Sequence, residues 1–113
     1  MNKIKISETR SIGINEPPLI IAEIGNNHNG NIDNALNLIK IAKDIGVDAV
    51  KFQVKNIEES FSKDLLDSPY VNENSFGKTY REHKQALEFS KEQLIELYDF
   101  SNKLGILCFS TPF

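Results

Sequence analysis

Leu19-Ile20-Ile21-Ala22-Glu23-Ile24-Gly25-Asn26-Asn27-His28-Asn29-Gly30 is the stretch from which the rest of the chain can be read. A short run of branched apolar residues suits a buried strand, and the glycine and asparagines after it suit the turn that ends it. Glu23 interrupts a segment that otherwise reads as core. Stripping a carboxylate of its hydration is costly, so a glutamate in such a place needs a partner. Glu23 is therefore a candidate functional group.

A helix is predicted directly after this turn, from about Ile32 to Ile45. Asn31 stands where an N-cap belongs, and Gly46 where a left-handed residue ends a helix. Ala35, Leu38, Ile39, Ala42 and Ile45 recur at helical spacing and form one apolar face, with Asn34, Asn37 and Lys40 off it. Asp48 to Val54 reads as a second strand. Alternation puts Val50, Phe52 and Val54 on one face and Ala49, Lys51 and Gln53 on the other, so the polar face meets either water or a ligand.

Lys55 to Phe89 is long and uneven, with turn chemistry at Asp67-Ser68-Pro69 and from Asn72 to Gly77, and a helix is expected within Thr79 to Glu88. Excursions of this length between regular elements are uncommon and often functional. Ser90-Lys91-Glu92-Gln93 reads as a capping box. It opens a second main helix with Leu94, Leu97, Tyr98, Ser101 and Leu104 inward. Gly105 closes that helix, and Ile106 to Ser110 is the third strand. Upstream, Lys3 to Ile6 and Ser11 to Ile14 flank Ser7-Glu8-Thr9-Arg10 and fit a small hairpin within residues 1–15; Pro17-Pro18 bar a helix after it. Strands alternating with helices predict an α/β fold with a parallel sheet and right-handed crossovers.

A length of 113 residues fits one domain or a piece of a larger one, and 40% apolar with 26% charged residues fits a globular protein. The formal net charge of -3 leaves no basic footprint for nucleic acid and no strong attraction to an anionic membrane. No apolar run approaches the ~20 residues of a membrane span. The alternating Met1–Ile6 segment lacks the apolar stretch of a signal peptide. The one cysteine, Cys108, reads as a buried small hydrophobe. A cytoplasmic location is consistent with all of this.

Three motifs, Ile21 to Gly30, Asp48 to Gln53 and Phe109 to Phe113, in this order and at fitting spacing, resemble the start of the sialic acid synthase family. Its members are the N-acetylneuraminate synthases and their legionaminate and pseudaminate relatives. Thr79 to Ser90 is more similar to the sialic and legionaminic branches than to the pseudaminic one. The resemblance implies that residues 19–113 are the first three strands and intervening helices of a (β/α)8 TIM barrel, preceded by the hairpin. Such a barrel takes ~250 residues. The chain is thus expected to be a fragment or a truncated gene product, inactive alone. The family's C-terminal antifreeze-like domain, which closes the partner's site in a homodimer, has no counterpart here.

The implied reaction condenses phosphoenolpyruvate with an N-acylhexosamine of the N-acetylmannosamine type, giving a nine-carbon 2-keto acid and phosphate. A divalent metal, manganese or magnesium, is implied as well, with its ligands beyond this chain. By resemblance, Lys51 and Gln53 bind phosphoenolpyruvate, and a lysine is a compact charge suited to its phosphate or carboxylate. Glu23 is the candidate catalytic group, near the end of a strand where barrel enzymes place theirs; the alternative is a structural carboxylate paired with Lys51. Asn27 and His28, in the turn after the first strand, and Thr111, at the end of the third, are candidate substrate-binding residues. For His28 a hydrogen-bonded structural role is the competing reading. Two other functions stay open: another phosphoenolpyruvate-condensing synthase of keto-deoxy sugar acids, and a non-catalytic half-barrel.

Overall fold

A computed structural model describes residues 2–113. Strands β1 (Lys3–Lys5) and β2 (Ser11–Gly13) pair antiparallel as a separate hairpin. The main sheet has three parallel strands, β3 (Ile21–Gly25), β4 (Ala49–Val54) and β5 (Leu107–Pro112), in that order. Helix α1 (Ile32–Ile45) links β3 to β4. Three short helices, α2 (Ile57–Ser60), α3 (Lys63–Asp67) and α4 (Tyr80–Leu87), and then α5 (Lys91–Leu104), lie between β4 and β5.

One face of the sheet is covered. Ile24, Val50 and Phe52 pack there on Ala35, Ile39 and Ala42 of α1 and on Leu97 of α5, with Cys108 against the same cluster. Each large side chain buried this way contributes about 1.5–3 kcal/mol before the cost of ordering the chain. Cys108 is a packing residue, and burial pushes its thiol pKa up. The opposite face is open: Ile21 and Phe109 remain exposed on it. Among the described residues no helix is long and apolar enough to cross a membrane.

Both main helices begin and end where their sequence says. The Asn31 side chain accepts from the Asn34 N–H, the Ser90–Gln93 capping box is fully formed, and Gly46 and Gly105 close the helices with positive φ. Ile45 departs from the expected apolar face and is 71% exposed. At 3.6 residues per turn it lies about 80° round the helix from Ala35, on the margin of the buried stripe. The apolar run that opens at Leu19 reads as a strand from its first residue, but the strand starts at Ile21. The Ile20 N–H bonds to the Asp48 carboxylate at 2.8 Å instead of to a neighbouring strand. The third strand runs two residues past Ser110, through Thr111 and Pro112.

The hairpin is latched to the sheet by Arg10. Its guanidinium meets Asp48 at 3.0 Å and donates to the carbonyls of Ser11, Pro17 and Pro18. These bonds, chiefly that from Arg10, hold the Asp48 carboxyl below the usual range. The latch grips the amino-terminal end of β4, so the carboxyl end of the sheet is left free.

Candidate active site

The register of β3 and β4 sets Glu23 beside Lys51, and that of β4 and β5 sets Lys51 beside Phe109 and Gln53 beside Thr111. In a parallel sheet, paired residues point to the same face, and residues two apart share it. Glu23, Lys51, Gln53 and Thr111 therefore stand together on the open face, toward the carboxyl ends of the strands. The Lys51 ammonium lies 2.7 Å from the Glu23 carboxylate, with side chains 29% and 47% exposed. An ion pair this accessible to water is worth about 0–1 kcal/mol, so an incoming anion can open it at little cost.

A bulge shapes this corner. Glu23 pairs with Lys51, but Gly25 pairs with Phe52, so β3 carries one extra residue at Ile24. Ile24 turns into the core, and Gly25 takes φ 56° beside the Glu23 carboxylate and the Gln53 amide. Next to it, Asn26 Nδ2 donates to Gln53 Oε1 at 3.3 Å. With its oxygen so engaged, the Gln53 amide has its N–H groups left as donors. Asn26 thus orients Gln53, a role that sequence reasoning missed. A polar residue at a strand end facing Gln53 across the register was the available signal, and the bulge concealed it.

Asn27 and His28 go elsewhere. The Asn27 side chain donates back to the Ile24 carbonyl at 2.9 Å and so closes its own turn. His28 is 1% exposed, its ring stacked on Phe89 at 4.1 Å and tilted against Phe52 at 6.0 Å. Its Nδ1 accepts from the Gly30 N–H at 2.9 Å, which places the proton of the neutral ring on Nε2. Burial lowers its pKa, with the Gly25 carbonyl acting the other way. His28 therefore lies under the turn, on the helix side of the sheet, apart from Glu23, Lys51 and Gln53. Ser110 also faces that side and shares a hydrogen bond with the Tyr98 hydroxyl.

Residues 38–113 match the NeuB family. The chain belongs to the NeuB family. The N-acetylneuraminate-9-phosphate synthase of Mus musculus is 43% identical over 104 residues, which is 92% of this chain and 29% of that protein. The N,N'-diacetyllegionaminic acid synthase of Legionella pneumophila is 37% identical over 110 residues, 96% of this chain and 31% of the relative. The pseudaminic acid synthase of Campylobacter jejuni is 30% identical over 102 residues. Among solved structures, the N-acetylneuraminic acid (sialic acid) synthetase of Leptospira borgpetersenii, in complex with citrate, superposes with a TM-score of 0.77 at 33% identity. It covers 99% of this chain and 34% of its own. The chain spans under a third of the length of the curated relatives named here.

As a NeuB family chain it carries an α/β fold that resembles sialic acid synthase structures. The metal is a different matter. Among the described residues no three His, Cys, Asp or Glu side chains come together as a metal site.

Proposed function

We propose that this chain is the amino-terminal part of the (β/α)8 barrel of a nonulosonic acid synthase, and that Glu23, Lys51 and Gln53 are its share of the active site. The observation that carries the reading is the Glu23–Lys51 pair on the open face at the carboxyl end of parallel strands, with the Gln53 amide beside it. Carboxyl strand ends are where barrel enzymes do their chemistry.

The substrates are phosphoenolpyruvate and the open-chain aldehyde of an N-acylhexosamine. Lys51 and the Gln53 N–H groups take the phosphate or carboxylate of phosphoenolpyruvate, and Thr111 adds a hydroxyl beside Gln53. As the anion engages Lys51, Glu23 is released from its ion pair. The freed carboxylate then accepts a proton from water or a sugar hydroxyl and orients the aldehyde. The alkene carbon forms the new bond to the aldehyde carbon, whose oxygen gains a proton. Water adds to the cationic carbon left behind and loses its proton. The carbon–oxygen bond to phosphate breaks, leaving a 2-keto acid and inorganic phosphate.

The test uses the complete synthase. Lys51→Ala raises the phosphoenolpyruvate concentration needed for half-maximal phosphate release at least tenfold and shifts that for the sugar far less. An unchanged phosphoenolpyruvate requirement overturns the role of Lys51. Phosphate release with tetrose or pentose phosphates, but with no N-acylhexosamine or its phosphate, moves the protein to the other class of keto-deoxy sugar acid synthases.

A further inference from the structure

The turn between β3 and α1 sets two successive residues in left-handed backbone. Asn29 has φ 57° and Gly30 φ 75°, and the Asn31 N–H closes the turn on the His28 carbonyl at 3.1 Å. Positive φ at both central residues is what a type I′ turn requires, and asparagine followed by glycine meets that demand well. This is the sole Asn-Gly pair in the chain.

The same pair is chemically weak. An asparagine Cγ is open to attack by the backbone nitrogen of the next residue, and glycine has no side chain to hinder the approach. Asn29 is exposed to water. What the fold holds back is the nucleophile. The Gly30 N–H donates to His28 Nδ1 at 2.9 Å, and the ring that accepts it is 1% exposed and stacked on Phe89. Gly30 is also pressed against α4, where a Cβ built on it would sit 1.9 Å from the Ala86 carbonyl oxygen. While these contacts last, the nitrogen keeps its proton and its place in the turn.

We propose that Asn29 is a site of spontaneous deamidation and that His28 is its guard. When the turn opens, the Gly30 nitrogen loses its proton to water and bonds to the Asn29 Cγ. The Cγ–Nδ2 bond breaks, and Nδ2 takes up a proton and leaves as ammonia. Water then opens the cyclic imide at either carbonyl, giving aspartate or isoaspartate. Either product adds a negative charge at the carboxyl end of the sheet. Isoaspartate also lengthens the backbone by a methylene, which Gly30 has no room to accommodate against Ala86. The Asn29 N–H donates to the carbonyl of Asn26 at 3.1 Å, so the damage reaches the residue that holds Gln53.

The test ages the dilute 113-residue chain in mildly alkaline buffer, folded and in urea. Mass spectrometry follows the tryptic peptide Ser11–Lys40. Chromatography separates its asparagine, aspartate and isoaspartate forms, and fragmentation locates the change. In urea Asn29 converts ahead of the peptide's other asparagines, and roughly tenfold or more faster than in the folded chain. Folded His28→Phe converts roughly threefold or more faster than the folded parent. Gly46→Ala strains the far end of α1 without touching the turn, and converts at the parent's rate. Circular dichroism confirms that the variants fold, and His28→Leu takes the place of His28→Phe if that one does not. Equal rates in urea and in the folded chain, or no preference for Asn29 in urea, overturn the site. A His28 variant that converts no faster than the parent, or no faster than Gly46→Ala, overturns the guard.

Discussion

The Glu23–Lys51 pair and His28 answer to different physics, and substitutions separate them. Glu23 is half-exposed, so Glu23→Gln should change stability by less than about 1 kcal/mol. Calorimetry or urea titration checks this, and a larger loss would show that the pair is structural. His28 is held neutral in the core, with its pKa lowered by burial. The unfolded chain takes up that proton more readily, so the stabilising effect is complete above the ordinary histidine value of about 6.5 and is lost as pH falls below it. His83, lowered by burial and by Lys84, adds in the same direction. Urea midpoints should therefore drop between pH 7.5 and 5.5. In His28→Phe the drop should be shallower, while stability at pH 7.5 falls by about 1–3 kcal/mol because the Gly30 N–H loses its acceptor. An equally steep drop in the variant would assign the pH dependence elsewhere.

The turns that join the elements are less tolerant than the helices. Gly30 has φ 75°, and a Cβ built on it would sit 1.9 Å from the carbonyl oxygen of Ala86, in α4. Gly46 has a similar φ of 86°, but nothing lies within 4 Å of such a Cβ. Gly46→Ala should cost about 1–2 kcal/mol, the left-handed penalty alone. Gly30→Ala carries that penalty plus the clash, and should cost at least twice as much by urea unfolding. The contrast also marks what could be read from letters. Asn31, Gly46, Ser90 and Gln93 are local signals, each needing only its own helix, and they set the helix ends correctly. The side of β4 that holds Lys51 and Gln53 followed from alternation alone. Helices α2 and α3 did not, because four or five residues are too few to show a period, although Asn56 and Ser62 cap them. The close approach of Gly30 to Ala86, the shift at Ile24 and the burial of His28 beneath Phe89 depend on residues far apart in sequence. No window on the chain displays them.

At the scale of the molecule, one sheet face and both sheet edges are without partners among the described residues. The radius of gyration is 16.8 Å, against about 13 Å for a compact domain of 100 residues. Ile21 and Phe109 stand exposed on the open face, at 42% and 41%. Strand edges with free N–H and C=O groups pair readily with other chains. The isolated chain should therefore self-associate, with a sedimentation coefficient that rises with concentration. Phe109→Lys should reduce that rise while leaving the helical circular dichroism intact. A concentration-independent monomer in the parent chain would show that the open face needs no cover.

Asn26 holds an oxygen, Oδ1, that is shielded from solvent and accepts no hydrogen bond. An orphan of this kind costs roughly 1–3 kcal/mol. Drift under selection for folding alone would discard it, and a randomised library screened only for soluble expression should return valine or isoleucine at position 26 ahead of asparagine. The same library, installed in the complete synthase and screened for turnover, should bring asparagine back. That split would mark position 26 as a place where the demands of persistence and of chemistry pull the gene in opposite directions; valine or isoleucine in both screens would show that they do not.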